Sequence, residues 1–160
     1  MTFKQIAIVT GVLFISCNDA NNKDVVTKTD SSLTTNAYSK NDLSTASWIE
    51  GKWKGMYKGK PFYEIYEIIN DSLKITSYEW DGKDSSNSSV DYLKWDGDAF
   101  YLGKENNYRV MLLSDSVIKM VPVKANNDVT WRKTNTGWDA TLVGKKETNV
   151  YNMEHFDPFK

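Results

Sequence analysis

From Trp48 onward the chain is cut by turn-forming residues at short intervals, and this cadence restricts its fold more than any other feature. Gly59-Lys60-Pro61, Asn70-Asp71-Ser72, Asp81-Gly82, Asp96-Gly97, Asn106-Asn107, Ser114-Asp115-Ser116, Asn126-Asn127-Asp128 and Thr136-Gly137 all carry residues suited to tight reversals. Segments recurring about every 8–12 residues between such turns predict an all-β sandwich or barrel. Ten strands are expected, over 52–58, 62–69, 73–80, 89–95, 98–103, 108–114, 117–123, 129–133, 138–144 and 147–153. No window of helical length shows a 3.6-residue apolar period. The connections are too short for parallel crossovers, so neighbours should pair as antiparallel hairpins. A meander of eight to ten strands leaves no open edge if it closes into a barrel.

Side-chain alternation assigns some faces. In the first strand Lys52, Lys54, Met56 and Lys58 alternate with Trp53, Gly55 and Tyr57, which predicts that Trp53 points inward. The segments 62–69 and 108–114 are apolar on both faces and therefore need cover on both. The C-terminal stretch Met153-Glu154-His155-Phe156-Asp157-Pro158-Phe159, or a partner protein, would supply it. Eighteen of the 21 aromatic residues lie between Trp48 and Lys160, and a segment of that size buries roughly 60–70% of its unfolded surface. The barrel should therefore fold without disulfides, which Cys17, as the sole cysteine, cannot form within one chain.

The N-terminal third is of another kind. Lys4 precedes the apolar run Ile6 to Ile15, which is short of the about 20 residues needed to cross a bilayer and fits a secretory signal peptide. Asn18 to Ala46 is polar, with Tyr38 as its one aromatic and no apolar period. That composition predicts a disordered tether with an r.m.s. span of roughly 30 Å. Three segments result: a signal peptide over 1–16, a tether over 17–46, and a folded domain over 47–160. With 20 basic and 21 acidic residues, the chain lacks the basic footprint of a nucleic-acid binder.

Two resemblances add to this reading. Phe14-Ile15-Ser16-Cys17 resembles a bacterial lipobox, which implies cleavage before Cys17, acylation of its thiol and amine, and a place at the cell envelope, anchored to a membrane, the outer membrane first, with the domain in the periplasm or at the cell surface. Several acyl chains anchor stably where one would not. Gly51-Lys52-Trp53 resembles the Gly-x-Trp signature of lipocalin-type barrels, in which a short helical turn leads into the first strand and the tryptophan closes one barrel end. An arginine from a late strand often covers that tryptophan, and Arg132 is the candidate here. More closely, 47–153 is similar to small bacterial lipoproteins of unknown function with a lipocalin-like barrel. The shared order is Trp48-Ile49-Glu50-Gly51-Lys52-Trp53, then Tyr63-Glu64-x-Tyr66-Glu67, then Ile69-Asn70-Asp71-Ser72-Leu73. Tryptophan is common in that family where Tyr66 stands, and its later Asn-x-x-His-Asp-Phe-Pro stretch is absent between Val123 and Trp131.

No residue pattern specifies a chemistry. His155 is the sole histidine, with only Glu154 and Asp157 beside it, so neither a metal site nor a Ser/His/acid set is supported. Asp96-Gly97-Asp98 reads as a turn, without the further ligands of a calcium loop. Two uses of the barrel interior remain. Aromatic rings can enclose a small apolar or sugar-like ligand, with Glu64, Tyr66, Tyr78 and Arg109 as the residues expected to contact it. Alternatively, Glu64 and a second carboxylate such as Glu79 would form the acid pair of a glycan hydrolase. A third reading is a structural or adaptor module whose rings simply fill the core. Non-catalytic binding of a ligand or an envelope partner, with no cofactor, is the expectation.

Overall fold

The computed structural model of the chain describes residues 38–157; Cys17, the apolar run and most of the tether lie outside them. Ten antiparallel strands form a meander that closes on itself. They are β1 (Gly51–Tyr57), β2 (Lys60–Ile69), β3 (Ser72–Trp80), β4 (Ser85–Trp95), β5 (Phe100–Leu102), β6 (Tyr108–Leu113), β7 (Val117–Pro122), β8 (Asn127–Lys133), β9 (Gly137–Gly144) and β10 (Thr148–His155). Each strand pairs with the next, and β1 pairs with β10 through Trp53↔His155 and Lys54↔Glu154. The backbone N–H of Phe156 donates to the Lys52 carbonyl at 2.8 Å and extends that seam. The architecture is a lipocalin-like barrel, and all ten expected strands are present.

Register follows from the turns. Asn70 takes a left-handed φ of 55°, which a short polar side chain tolerates, and Asn70-Asp71 make a two-residue link that sets Ile69 opposite Ser72. Counting back along β2 and β3, Glu64 faces Ser77 and Tyr63 faces Tyr78. The pleat then sends Glu64 and Tyr66 inward and Tyr63 outward. On the other side of β2, Trp53 is opposite Glu64 and Gly51 is opposite Tyr66.

The folded unit begins earlier than the expected boundary at 47, and this corrects the tether. Lys40–Ile49 form a 3₁₀ helix that buries Leu43, Ala46 and Ile49. These three lie three residues apart, matching the period of a 3₁₀ helix, so one side of the helix is apolar and sits on the barrel end. The Asp42 carboxylate accepts from the Ser39 backbone N–H at 2.7 Å and caps the first turn. Tyr38 reaches further, its hydroxyl accepting from the Leu113 N–H at 2.9 Å. Trp48 donates from its indole nitrogen to the Ser114 carbonyl at 3.0 Å. These contacts tie the helix across the barrel mouth next to the β6–β7 turn.

The core runs inward from that plug. Trp53 is buried and donates to the Ile49 carbonyl at 2.7 Å. Its ring meets Trp138 edge-on at 6.2 Å and His155 edge-on at 5.5 Å. Leu73, Phe100, Leu113 and Ile118 complete the layer. Outside the barrel, Phe156 lies 4.8 Å from Tyr63 and 5.9 Å from Trp80 between ring centroids. The C-terminal stretch thus supplies cover for the outer face of β2. The outer face of β6 has a different resolution: an irregularity between Val110 and Leu112 lets Leu112 turn to solvent while Leu113 returns to the core.

Candidate functional site

The helix closes one end, and the other is where the β5–β6 and β7–β8 loops meet. There the barrel holds a cavity of about 200 Å³. Its floor is Tyr66, Trp131 and Trp138, whose rings pack edge-on or tilted at centroid distances of 5.3 to 5.8 Å. Its walls are Phe62, Leu102, Val129, Ala140, Leu142, Tyr151 and Met153. Asn107, Asn126 and Asn127 form a polar rim with Tyr108, and the Tyr108 hydroxyl donates to Asn127 Oδ1 at 3.0 Å. The Asn107 carbonyl accepts from the Val123 and Lys124 N–H groups at 2.8 and 3.1 Å, which fastens the two rim loops together.

One charged residue lines this space. Glu64 is 5% exposed, the one buried charged residue among those described. Its Oε2 accepts from the Tyr66 hydroxyl at 2.7 Å and its Oε1 from the Ser77 hydroxyl at 3.0 Å. Burial pushes the carboxyl up from its ordinary value, and the two hydroxyl donors partly offset this. Tyr66 is pushed well up by the same burial and by the negative charge beside it. A carboxyl held this way in an aromatic cavity offers a hydrogen-bonding or charged anchor at the base of an otherwise apolar space.

The four residues expected to contact a ligand divide evenly. Glu64 and Tyr66 share the inner face of β2 and both line the cavity. Tyr78 is on the outer surface, its ring 5.7 Å from that of Tyr63. Arg109 is also outside, opposite Tyr101 and Val121 in register, with an ion pair to Asp98 at 3.3 Å. The expectation that Tyr78 and Arg109 contact a ligand is corrected by strand register: both occupy the wrong face of their strands.

Arg132 does not cover Trp53. It is exposed and opposite Asp139 on the outer face, while its neighbour Trp131 points inward. Trp53 does point inward as expected, covered by Trp138 and His155 in place of an arginine. The hydrolase arrangement also lacks its second member. Glu79 is exposed and accepts from Asn87 Nδ2 at 2.8 Å, beyond an irregularity in the β3–β4 ladder after Ser77. Among the described residues, Glu64 is the one carboxylate that lines the cavity, so no acid pair faces a common substrate.

Reasoning from the residues alone missed the rim asparagines and Ala140. The Asn126-Asn127-Asp128 run was legible as a turn, and its position over an open barrel end depends on which end the helix closes. Ala140 matters for what it lacks: a small side chain opposite Trp131 leaves the central space unfilled. No protein-family model matches the chain, and no curated protein or solved structure matches it either.

Proposed function

We propose that this protein is a lipid-anchored cell-envelope protein whose barrel holds a small ligand in the cavity over Glu64. The observation that carries the ligand-holding half is the cavity itself, open at one end, closed by a helix at the other, and built from rings around one buried carboxyl. Its size sets the class of ligand. A cavity of about 150 Å³ accommodates benzene, whereas drug-sized sites run from roughly 300 Å³ upward. A molecule of about ten non-hydrogen atoms fits, and a lipid or an oligosaccharide does not fit inside.

The anchor rests on sequence: an apolar run of signal-peptide length, then Ser16-Cys17, with no other cysteine in the chain. Acylated Cys17 would hold the barrel at the outer membrane, and the intervening polar residues would give it reach. Native mass spectrometry of protein purified from its own cells tests the ligand, with a retained small molecule expected. A ligand-free spectrum from gently extracted protein would count against it. For the anchor, the membrane fraction should yield a mature chain beginning at acylated Cys17, and a soluble chain with a free thiol would refute it.

A further inference from the structure

We infer that the ligand held against Glu64 is a small organic ammonium ion, of the size of an arylalkylamine. This rests on the ligand-holding reading above and names the chemistry of its guest. Three observations converge. First, among the described residues no lysine, arginine or histidine lines the cavity. The groups facing Glu64 are Trp53 and Ser77 in the flanking strands and Tyr66 on its own strand, with Tyr108 and Tyr151 the other ionisable groups in the cavity wall. Ionised Glu64 therefore has no counter-ion of its own, and a bound cation would supply it.

Second, each carboxylate oxygen accepts a single hydrogen bond, Oε2 from Tyr66 and Oε1 from Ser77. A carboxylate oxygen has two acceptor positions, so both retain capacity for an ammonium donor. Third, the rest of the enclosure is largely aromatic: Phe62, Tyr66, Tyr108, Trp131, Trp138 and Tyr151. Aromatic rings attract cations through their quadrupole, most strongly when water is excluded. An anion would meet like charge and no basic partner. A neutral guest would meet only the hydrogen-bonding capacity of the carboxyl and gain nothing from its charge.

The proton balance gives the signature. Burial favours the neutral carboxyl in the empty protein, so wherever the carboxyl still carries its proton, an ammonium ion that binds the carboxylate displaces that proton to solvent. Affinity should rise with pH across the acid range, by up to about tenfold per unit, and level off once Glu64 is ionised in the empty protein.

The test is calorimetric titration of the full chain from pH 5 to 8 with 2-phenylethylamine and its neutral near-isostere 2-phenylethanol. The amine should bind roughly tenfold to a hundredfold more tightly, with the pH dependence above. Glu64→Gln should abolish the preference while retaining the alcohol. Equal affinity for both probes with a flat pH profile overturns the ammonium assignment and leaves ligand holding intact. If neither probe binds and native protein carries no adduct, both readings fall. Should Glu64→Gln fail to fold, the wild-type pH profile decides: a rise for the amine alone supports the assignment, and its absence overturns it.

Discussion

Glu64 is where sequence and structure meet most closely. Its burial raises the carboxyl above its ordinary value of 4.5, so the folded protein holds this proton more tightly than the unfolded chain does. The stability that depends on the neutral form is fully present below the unfolded value and is lost as pH rises through the folded one. Glu64→Gln stays neutral throughout. Its Tm relative to wild type should therefore climb as pH is raised from about 4.5 and then level off. A pH-independent difference would show that the carboxyl is not desolvated. Trp53 and Arg132 make a second contrast. Trp53→Ala should cost roughly 3–5 kcal/mol by denaturant titration, as for a buried aromatic. Arg132→Ala, on an exposed outer-face side chain, should fall within about 0.5 kcal/mol of wild type. Trp53's direction was legible because lysines flank it on both sides. Tyr78 and Arg109 were not, because a strand's pattern gives two faces and only register says which is inner. One residue of slip exchanges them, and Asn70-Asp71 as a two-residue link settles the matter for Tyr78.

At the scale of elements, the strands were readable from the residues, whereas the helix was implied only as a short turn by the Gly-x-Trp resemblance and its ten-residue length was not. Eight of the nine strand connections carry turn residues that announce themselves, the exception being β9–β10 at Lys145-Lys146-Glu147. Leu43, Ala46 and Ile49 instead repeat every three residues in a polar background, which a search for the α-helical period passes over. The helix nonetheless closes the barrel, burying Leu43 and Ala46 and tying Tyr38 to β6. A chain beginning at Ser47 should be less stable than one beginning at Tyr38 by roughly 3–5 kcal/mol, the sum expected for one buried leucine, an alanine and a hydrogen bond. Equal denaturation midpoints would show the helix to be dispensable. The β9–β10 pair is constrained as tightly. A Cβ on Gly137 would run into the Met153 carbonyl, with the carbonyl carbon at 3.1 Å and the Trp53 ring at 3.4 Å. Gly137→Ala must therefore push the paired backbones apart and should lower stability by about 1–3 kcal/mol in the same assay.

For the whole molecule, closure of the meander is what separates an inside from an outside, and the two ends then take different roles. The helical end is sealed by Leu43, Ile49, Trp53 and Trp138. The far end keeps its space because Ala140 stands opposite Trp131 and because asparagines, not large apolar residues, form the rim. Ring count alone could not distinguish a filled barrel from a hollow one, since the same aromatic residues serve both. The distinction depends on where small side chains fall in the three-dimensional layers. Whether a small molecule occupies this cavity is decided by native mass spectrometry of wild type beside Ala140→Leu, a substitution that fills the space. Wild type should carry a small-molecule adduct, and the folded variant should lose it. A ligand-free wild type, or an adduct retained equally by Ala140→Leu, would contradict the account.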